Sequence, residues 1–120
     1  MGLDMYAYST DQTLSRLDFE KPKDRKEIAY WRKHANLHGW MEQLYRSHGG
    51  AQRFNCVNVA LTAEDIDALE RTVLADELPF TEGFFFGESI PEDKEDDIAF
   101  IAKARECLAA GKSVYYTSWW

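Results

Sequence analysis

The order in which alternating and helically spaced apolar positions follow one another is the first thing this chain specifies. Leu3, Met5 and Ala7 alternate with Asp4, Tyr6 and Tyr8, the period of a short strand with one apolar face. Ser9 to Lys26 has no periodicity, mixes charges and contains Pro22, so residues 9–26 read as a long surface loop. Glu27 to Arg46 (EIAYWRKHANLHGWMEQLYR) follows the helical period. At about 100° per residue, Leu44, Leu37, Tyr30, Met41, His34, Tyr45, His38 and Trp31 share one arc, with Lys33, Asn36, Gln43, Arg32 and Arg46 opposite. Ser47-His48-Gly49-Gly50 then stops the helix, because glycine adopts the left-handed geometry that closes a helix end.

Arg53 to Leu61 (RFNCVNVAL) predicts a strand with Val57, Val59 and Leu61 on one face and Phe54, Cys56 and Asn58 on the other. Thr62 and Asp65 have the spacing of a capping box, and Ile66, Leu69, Val73 and Leu74 give the following helix its stripe, ending near Asp76 before Pro79. Thr81 to Gly87 (TEGFFFG) predicts a core strand, with Phe84 and Phe86 pointing one way and Phe85 the other. Ser89 and Glu92 suggest a second capping box, followed by Ile98, Ile101, Ala102, Leu108 and Ala109 as a buried stripe that Gly111 closes. Lys112 to Trp120 alternates again, and so many strand formers before it predict that Trp119 is docked. The expectation is one layered α+β (or α/β) domain over residues 1–120, with about four strands and three helices. Parallel crossovers and antiparallel pairing through longer loops both fit that order.

Composition narrows the class. A hydrophobic content of 45 %, with 14 % aromatic residues, is ample for a packed core. No apolar run approaches the roughly 18 residues a spanning helix needs. The opening MGLDMYAYSTD lacks the basic and apolar regions of a signal peptide, and two cysteines, Cys56 and Cys107, do not make a disulfide framework. The expected compartment is the cytoplasm, and both thiols are expected to be small buried hydrophobes.

Charge adds an asymmetry. Residues 1–60 carry nine Lys/Arg against seven Asp/Glu, a balance of +2, whereas residues 61–120 carry five against fourteen, a balance of −9. An acidic surface repels nucleic-acid phosphates and anionic membranes and favours a basic protein partner, one that itself binds nucleic acid included. Glu92, Asp93, Glu95, Asp96 and Asp97 are the densest acidic run and the candidate partner-binding residues. Their bland role is solubility and a favourable charge at a helix start. Lys21 to Lys26 (KPKDRK), running on to Arg32 and Lys33, is the basic counterpart: a phosphate patch, or simply a solvated helix entrance.

The candidate chemistry is thin. His34 and His38 stand four apart with Glu42 continuing the row, a spacing that can hold a metal. Lying inside the apolar arc with no second Cys/His cluster, they are expected to be core histidines bonded to Tyr hydroxyls or backbone, with no metal and no cofactor. No nucleophile elbow, P-loop or zinc signature is spelled out.

Widely spaced blocks carry a resemblance: Met1-Gly2-Leu3-Asp4-Met5-Tyr6, Tyr30-Trp31-Arg32-Lys33 with Asn36, His38 and Trp40, Gly83-Phe84-Phe85-Phe86-Gly87, and Tyr116, Ser118 and Trp119. In these the chain resembles a family of small uncharacterised phage and bacterial proteins. The resemblance implies a phage or mobile-element accessory protein, and it points to Arg32, Lys33, Asn36 and His38 as the candidate polar site. It includes His38 and does not hold His34, against a metal pair. Two functions follow as expectations. One is a non-enzymatic protein-binding module, of which an anti-defence inhibitor is one form, using the acidic surface against a host or phage protein. The other is a small-ligand-binding protein or small enzyme with a site around His38.

Overall fold

The computed structural model describes every residue except Met1 and Phe84. Its elements are β1 (Asp4–Thr10), β2 (Lys26–Arg32), α1 (Ala35–Ser47), β3 (Val59–Leu61), α2 (Ala63–Leu74), α3 (Asp93–Ala109) and β4 (Ser113–Trp119). The strands form one sheet in the order β2-β1-β4-β3, antiparallel at every pairing. The fold is α+β, and the parallel crossovers that the element order also allowed do not occur.

Register assigns side chains to the two faces. Met5 sits opposite Trp31 and Ser118, and Ala7 and Val59 sit opposite Tyr116, so these residues share an inner face with Leu61 and Val114. Together with Leu37, Met41, Tyr45, Ile66, Leu69, Phe100 and Ile101 from the helices they make the core. Asp4, Tyr6, Tyr8, Tyr30, Arg32, Tyr115, Thr117 and Trp119 point to the other, outer face. The connection 11–25 partly covers that face: Phe19 meets Tyr115 edge-on with ring centres 5.2 Å apart, and Pro22 is buried. It is pinned by Asp18, which accepts from the Tyr45 hydroxyl at 2.8 Å, and by Arg16, which pairs with Asp65 at 2.6 Å.

The stretch Glu27–Arg46 is not one helix. Its first part is β2, paired to β1 from Asp4↔Arg32 to Ala7↔Ala29, and only from Ala35 does the chain wind. Between them Lys33 takes a left-handed backbone (φ 59°), which no helix continues through. The helical wheel places Tyr30 and Trp31 on one arc, whereas pairing to β1 turns Trp31 inward opposite Met5 and Tyr30 outward opposite Tyr6.

Three other segments depart from their patterns. Only Val59–Leu61 of the predicted 53–61 strand is extended; Cys56, with φ 61°, lies exposed outside it, while Cys107 is buried in α3. The described residues of 81–87 form a turn in place of a core strand, in which the Phe86 amide donates to the Gly83 carbonyl at 3.1 Å and Gly87 has φ 69°. Phe84 lies outside the described residues, so its predicted direction has no counterpart. In α3 the buried face is Asp97, Phe100, Ile101, Ala104 and Cys107, rotated from the predicted stripe, and Ile98, Ala102 and Ala109 are exposed. The Thr62–Asp65 capping box is present in both directions. The Ser89–Glu92 box is not: Glu92 makes no side-chain cap, and Ser89 turns towards α1.

Asp97 is the reason α3 is rotated. It is 1 % exposed and accepts from Trp31 Nε1 at 3.1 Å and from His34 Nε2 at 2.9 Å. His34 Nδ1 shares a 2.6 Å hydrogen bond with the Ser89 hydroxyl, whose oxygen also accepts the Asn36 amide at 3.0 Å at the start of α1. Asp93 Oδ2 lies 3.4 Å from the same ring nitrogen. This network joins the end of β2, the start of α1, the 81–92 connection and α3. Asp97 therefore does not belong to the partner-binding surface proposed from the sequence. Removing one member of a buried polar pair strands the others without water, so Asp97→Ala is expected to lose about 3–5 kcal/mol of unfolding free energy in urea titration. Asp96→Ala, one residue away and exposed, is expected to change it by less than about 0.5 kcal/mol.

Candidate functional site

The structure disperses the polar site expected around His38. Arg32 projects from the outer face, where its guanidinium contacts Asp4 at 2.7 Å. Lys33 is exposed in the turn after β2. Asn36 acts as a clip, its side-chain oxygen accepting the Thr81 amide at 3.0 Å. The Thr81 side chain occupies the space a Cβ at Gly39 would need, which is why α1 tolerates a glycine there. His38 is fully buried.

His38 sits among Phe54, Phe86, Tyr116 and Trp120, with ring centres 4.8–6.5 Å away. Its Nδ1 shares a 2.7 Å hydrogen bond with the Tyr116 hydroxyl, and its Nε2 has no partner among the described residues. Burial alone pushes its pKa down to about 4, so it is neutral near pH 7. Burial also drives the Tyr116 phenol well up, against the opposing hydrogen bond from Ser118. His34 and His38 face different partners, Asp97 and Tyr116, and do not converge as a metal pair.

Ser89, His34 and Asp97 do form a hydrogen-bonded chain, which sequence spacing could not reveal because its members lie 55 and 63 residues apart. They line a cleft of about 370 Å³ with Val73, Leu78 and Ile90. The ring is reversed relative to a nucleophile–base–carboxylate relay: serine is on Nδ1 and aspartate on Nε2. With Ser89 capping Asn36 and Asp97 holding Trp31, the chain works as a structural tie.

Two exposed surfaces remain, on opposite sides of the molecule. On the helical layer, Glu92, Glu95 and Asp96 are exposed, while Asp93 is half-buried against His34. Asp67 and Glu70 pair with Arg105, Asp76 with Lys94, and Glu106 with Lys103, whereas Glu92, Glu95 and Asp96 have no ion-pair partner among the described residues.

The second surface is the open part of the outer sheet face. Trp119, expected to dock, is 67 % exposed there, and Tyr30 is 46 % exposed. Alternation explains the reversal: Ser118 opposite Met5 is inward, so Trp119 opposite Asp4 must be outward. Trp120 is the one that docks, donating from Nε1 to the Phe54 carbonyl at 2.8 Å beneath the Arg53 guanidinium. Tyr30, Tyr6 and Tyr8 make a continuous row, with centres 5.3 Å apart and then 5.9 Å apart, the second pair stacked. The Tyr30 hydroxyl donates to Asp4 at 2.6 Å, and that bond, with Arg32 adding to it, holds the Asp4 carboxyl below its usual range. Beside the row, Tyr6, Tyr8, Lys21, Thr117 and Trp119 line a slot of about 220 Å³. Arg25 lies over the Tyr8 ring at 5.6 Å. The sequence reading puts Trp119 on the wrong side and does not pick out the tyrosine row, although both are visible there as the second phase of each strand's alternation.

His38 provides a measurable consequence. Its folded-state pKa of about 4 lies below the ordinary 6.5, so the unfolded chain binds its proton more tightly. The stability gained by keeping the ring neutral is complete above about pH 6.5 and is lost as pH falls towards 4, at about 1.4 kcal/mol per pH unit. Urea titrations across pH 4–7 should show this extra slope in the wild type and not in His38→Gln; equal slopes would contradict it. Set against known protein families, curated proteins and solved structures, the chain shows no significant match to any of them.

Proposed function

We propose that the chain is a non-enzymatic protein-binding module, a phage or mobile-element accessory protein that acts in the host cytoplasm through its acidic helical layer. The observation that carries this reading is the trio Glu92, Glu95 and Asp96, exposed at the start of α3 without ion-pair partners among the described residues. Asp67 and Glu70, in contrast, are drawn into pairs by Arg105. Exposed Ile90 and Ile98, at 55 % and 45 %, stand on the same layer. Charge steers a basic partner into place and exposed apolar side chains hold it there. A host protein whose own groove binds nucleic acid offers such a basic surface, and occupying it would be an anti-defence action. The phage context rests on the resemblance in sequence blocks alone. No helix among the described residues is long and apolar enough to cross a membrane.

The alternative of a catalytic or ligand site around His38 draws no support from a ring that is fully buried among aromatic side chains. Capture from host lysate at low and moderate salt, read by mass spectrometry, tests the proposal. A partner held by wild type is expected to bind roughly tenfold more weakly to the triple variant Glu92→Gln, Glu95→Gln, Asp96→Asn, and more weakly as salt rises. No partner at either salt, or equal capture by the triple variant, would count against it.

A further inference from the structure

We infer that the open outer face of the sheet binds single-stranded nucleic acid, with bases stacking on Tyr6, Tyr30 and Trp119 and the backbone running along Lys21, Arg25 and Arg32. Net charge alone argues the opposite, and the acidic half of the chain would repel phosphates. Net charge averages over a molecule in which the fold gathers most acids on one side. The acids of α2 and α3 lie on the helical layer, which packs on the inner face. The outer face and its loop draw on residues 1–33, where seven Lys/Arg stand against six Asp/Glu, so this side is close to neutral, with its cations densest at Lys21, Lys23, Arg25 and Lys26.

Three features of the face select this occupant. First, Tyr30 and Trp119 are exposed and Tyr6 is half-buried between them, on three neighbouring strands, and a base can stack on such rings whatever its identity. An aromatic residue at the end of a paired strand, such as Trp119 at 67 % exposure, is otherwise costly surface. Second, the slot of about 220 Å³ has Tyr6, Tyr8 and Trp119 on its walls beside Thr117, Ser118 and Cys56, and Lys21 at its edge. That combination fits a planar base with a phosphate beside it. Third, the cations are held where they can be used. Arg25 is fixed over Tyr8 and donates to the Pro22 carbonyl at 3.3 Å, and Arg32 is aligned by Asp4. Asp4 and Glu27 lie on the same face, so the electrostatic share is modest. Stacking carries the affinity, and a duplex, which hides its base faces, is excluded.

Fluorescence anisotropy with a labelled poly-pyrimidine strand of about a dozen nucleotides tests the inference. The wild type should bind it, with log affinity falling against log salt at a slope near −2 for about three phosphate contacts. Trp119→Ala and Tyr30→Ala, at exposed positions whose folding is checked by circular dichroism, should each weaken binding about tenfold. Lys21→Gln should flatten the salt slope by about 0.7. The triple variant of the acidic layer should bind the strand as wild type does, which separates this inference from the protein-binding proposal. Several results would overturn it: no binding at low salt, equal or tighter binding of the matching duplex, or affinity untouched by loss of both rings. Equal occupancy by a mononucleotide alone would assign the slot to a free nucleotide. Loss of a captured protein partner on Trp119→Ala, with no oligonucleotide signal, would assign the face to a protein.

Discussion

The buried carboxylate of Asp97 is the constraint on which the rest of the molecule depends. A desolvated charge is tolerable only where donors are fixed around it, and Trp31 and His34 supply them from either side of the Arg32-Lys33 turn. Meeting that demand dictates where β2 ends, how α1 begins and how α3 is rotated. It also draws in Ser89, which satisfies one of the free amides at the start of α1 in place of a local cap. The consequence reaches the surface: once Trp31 and His34 point inward, Arg32 and Lys33 must point out.

The same alternation organises the two exposed faces. In a sheet each inward side chain obliges its neighbours outward, so the inner set of Met5, Trp31, Tyr116 and Ser118 leaves Asp4, Tyr6, Tyr30, Arg32 and Trp119 on the other side. Three helices cover the inner face, and a loop anchored by Asp18, Asn58 and Arg16 covers only part of the outer one. Acidic side chains concentrate on the helices, where negative charge suits a helix start. The molecule is polarised, with most of its carboxylates on the helical layer and exposed rings among mixed charges on the other side. A single net charge describes neither surface.

His38 marks the boundary between function and packing. Its helical spacing from His34 and its neighbours Arg32, Lys33 and Asn36 suggest a polar site, yet only its own ring is buried among aromatics, neutral and tied to Tyr116. The four residues take four separate roles because a turn, a helix start and a helix interior lie within seven residues. Proximity in sequence did not survive the change of direction at Lys33.

What the sequence by itself determined is the kind of fold and its local punctuation. A single layered domain of strands and helices, the strands at both ends, the Thr62–Asp65 cap and the acidity of the second half follow from period-two alternation, hydrogen-bonding side chains at a helix start, and composition. These are local or additive properties. Only the tertiary structure decided the rest. Whether Ile28-Ala29-Tyr30-Trp31 is helix or strand depends on β1 as a pairing partner. Which of Trp119 and Trp120 is buried depends on register. Asp97 reads as one more surface carboxylate until Trp31 and His34, more than sixty residues away, are brought to it. Long-range pairing and the desolvation of a charge are properties of the assembled chain, and neither is written in any single segment of it.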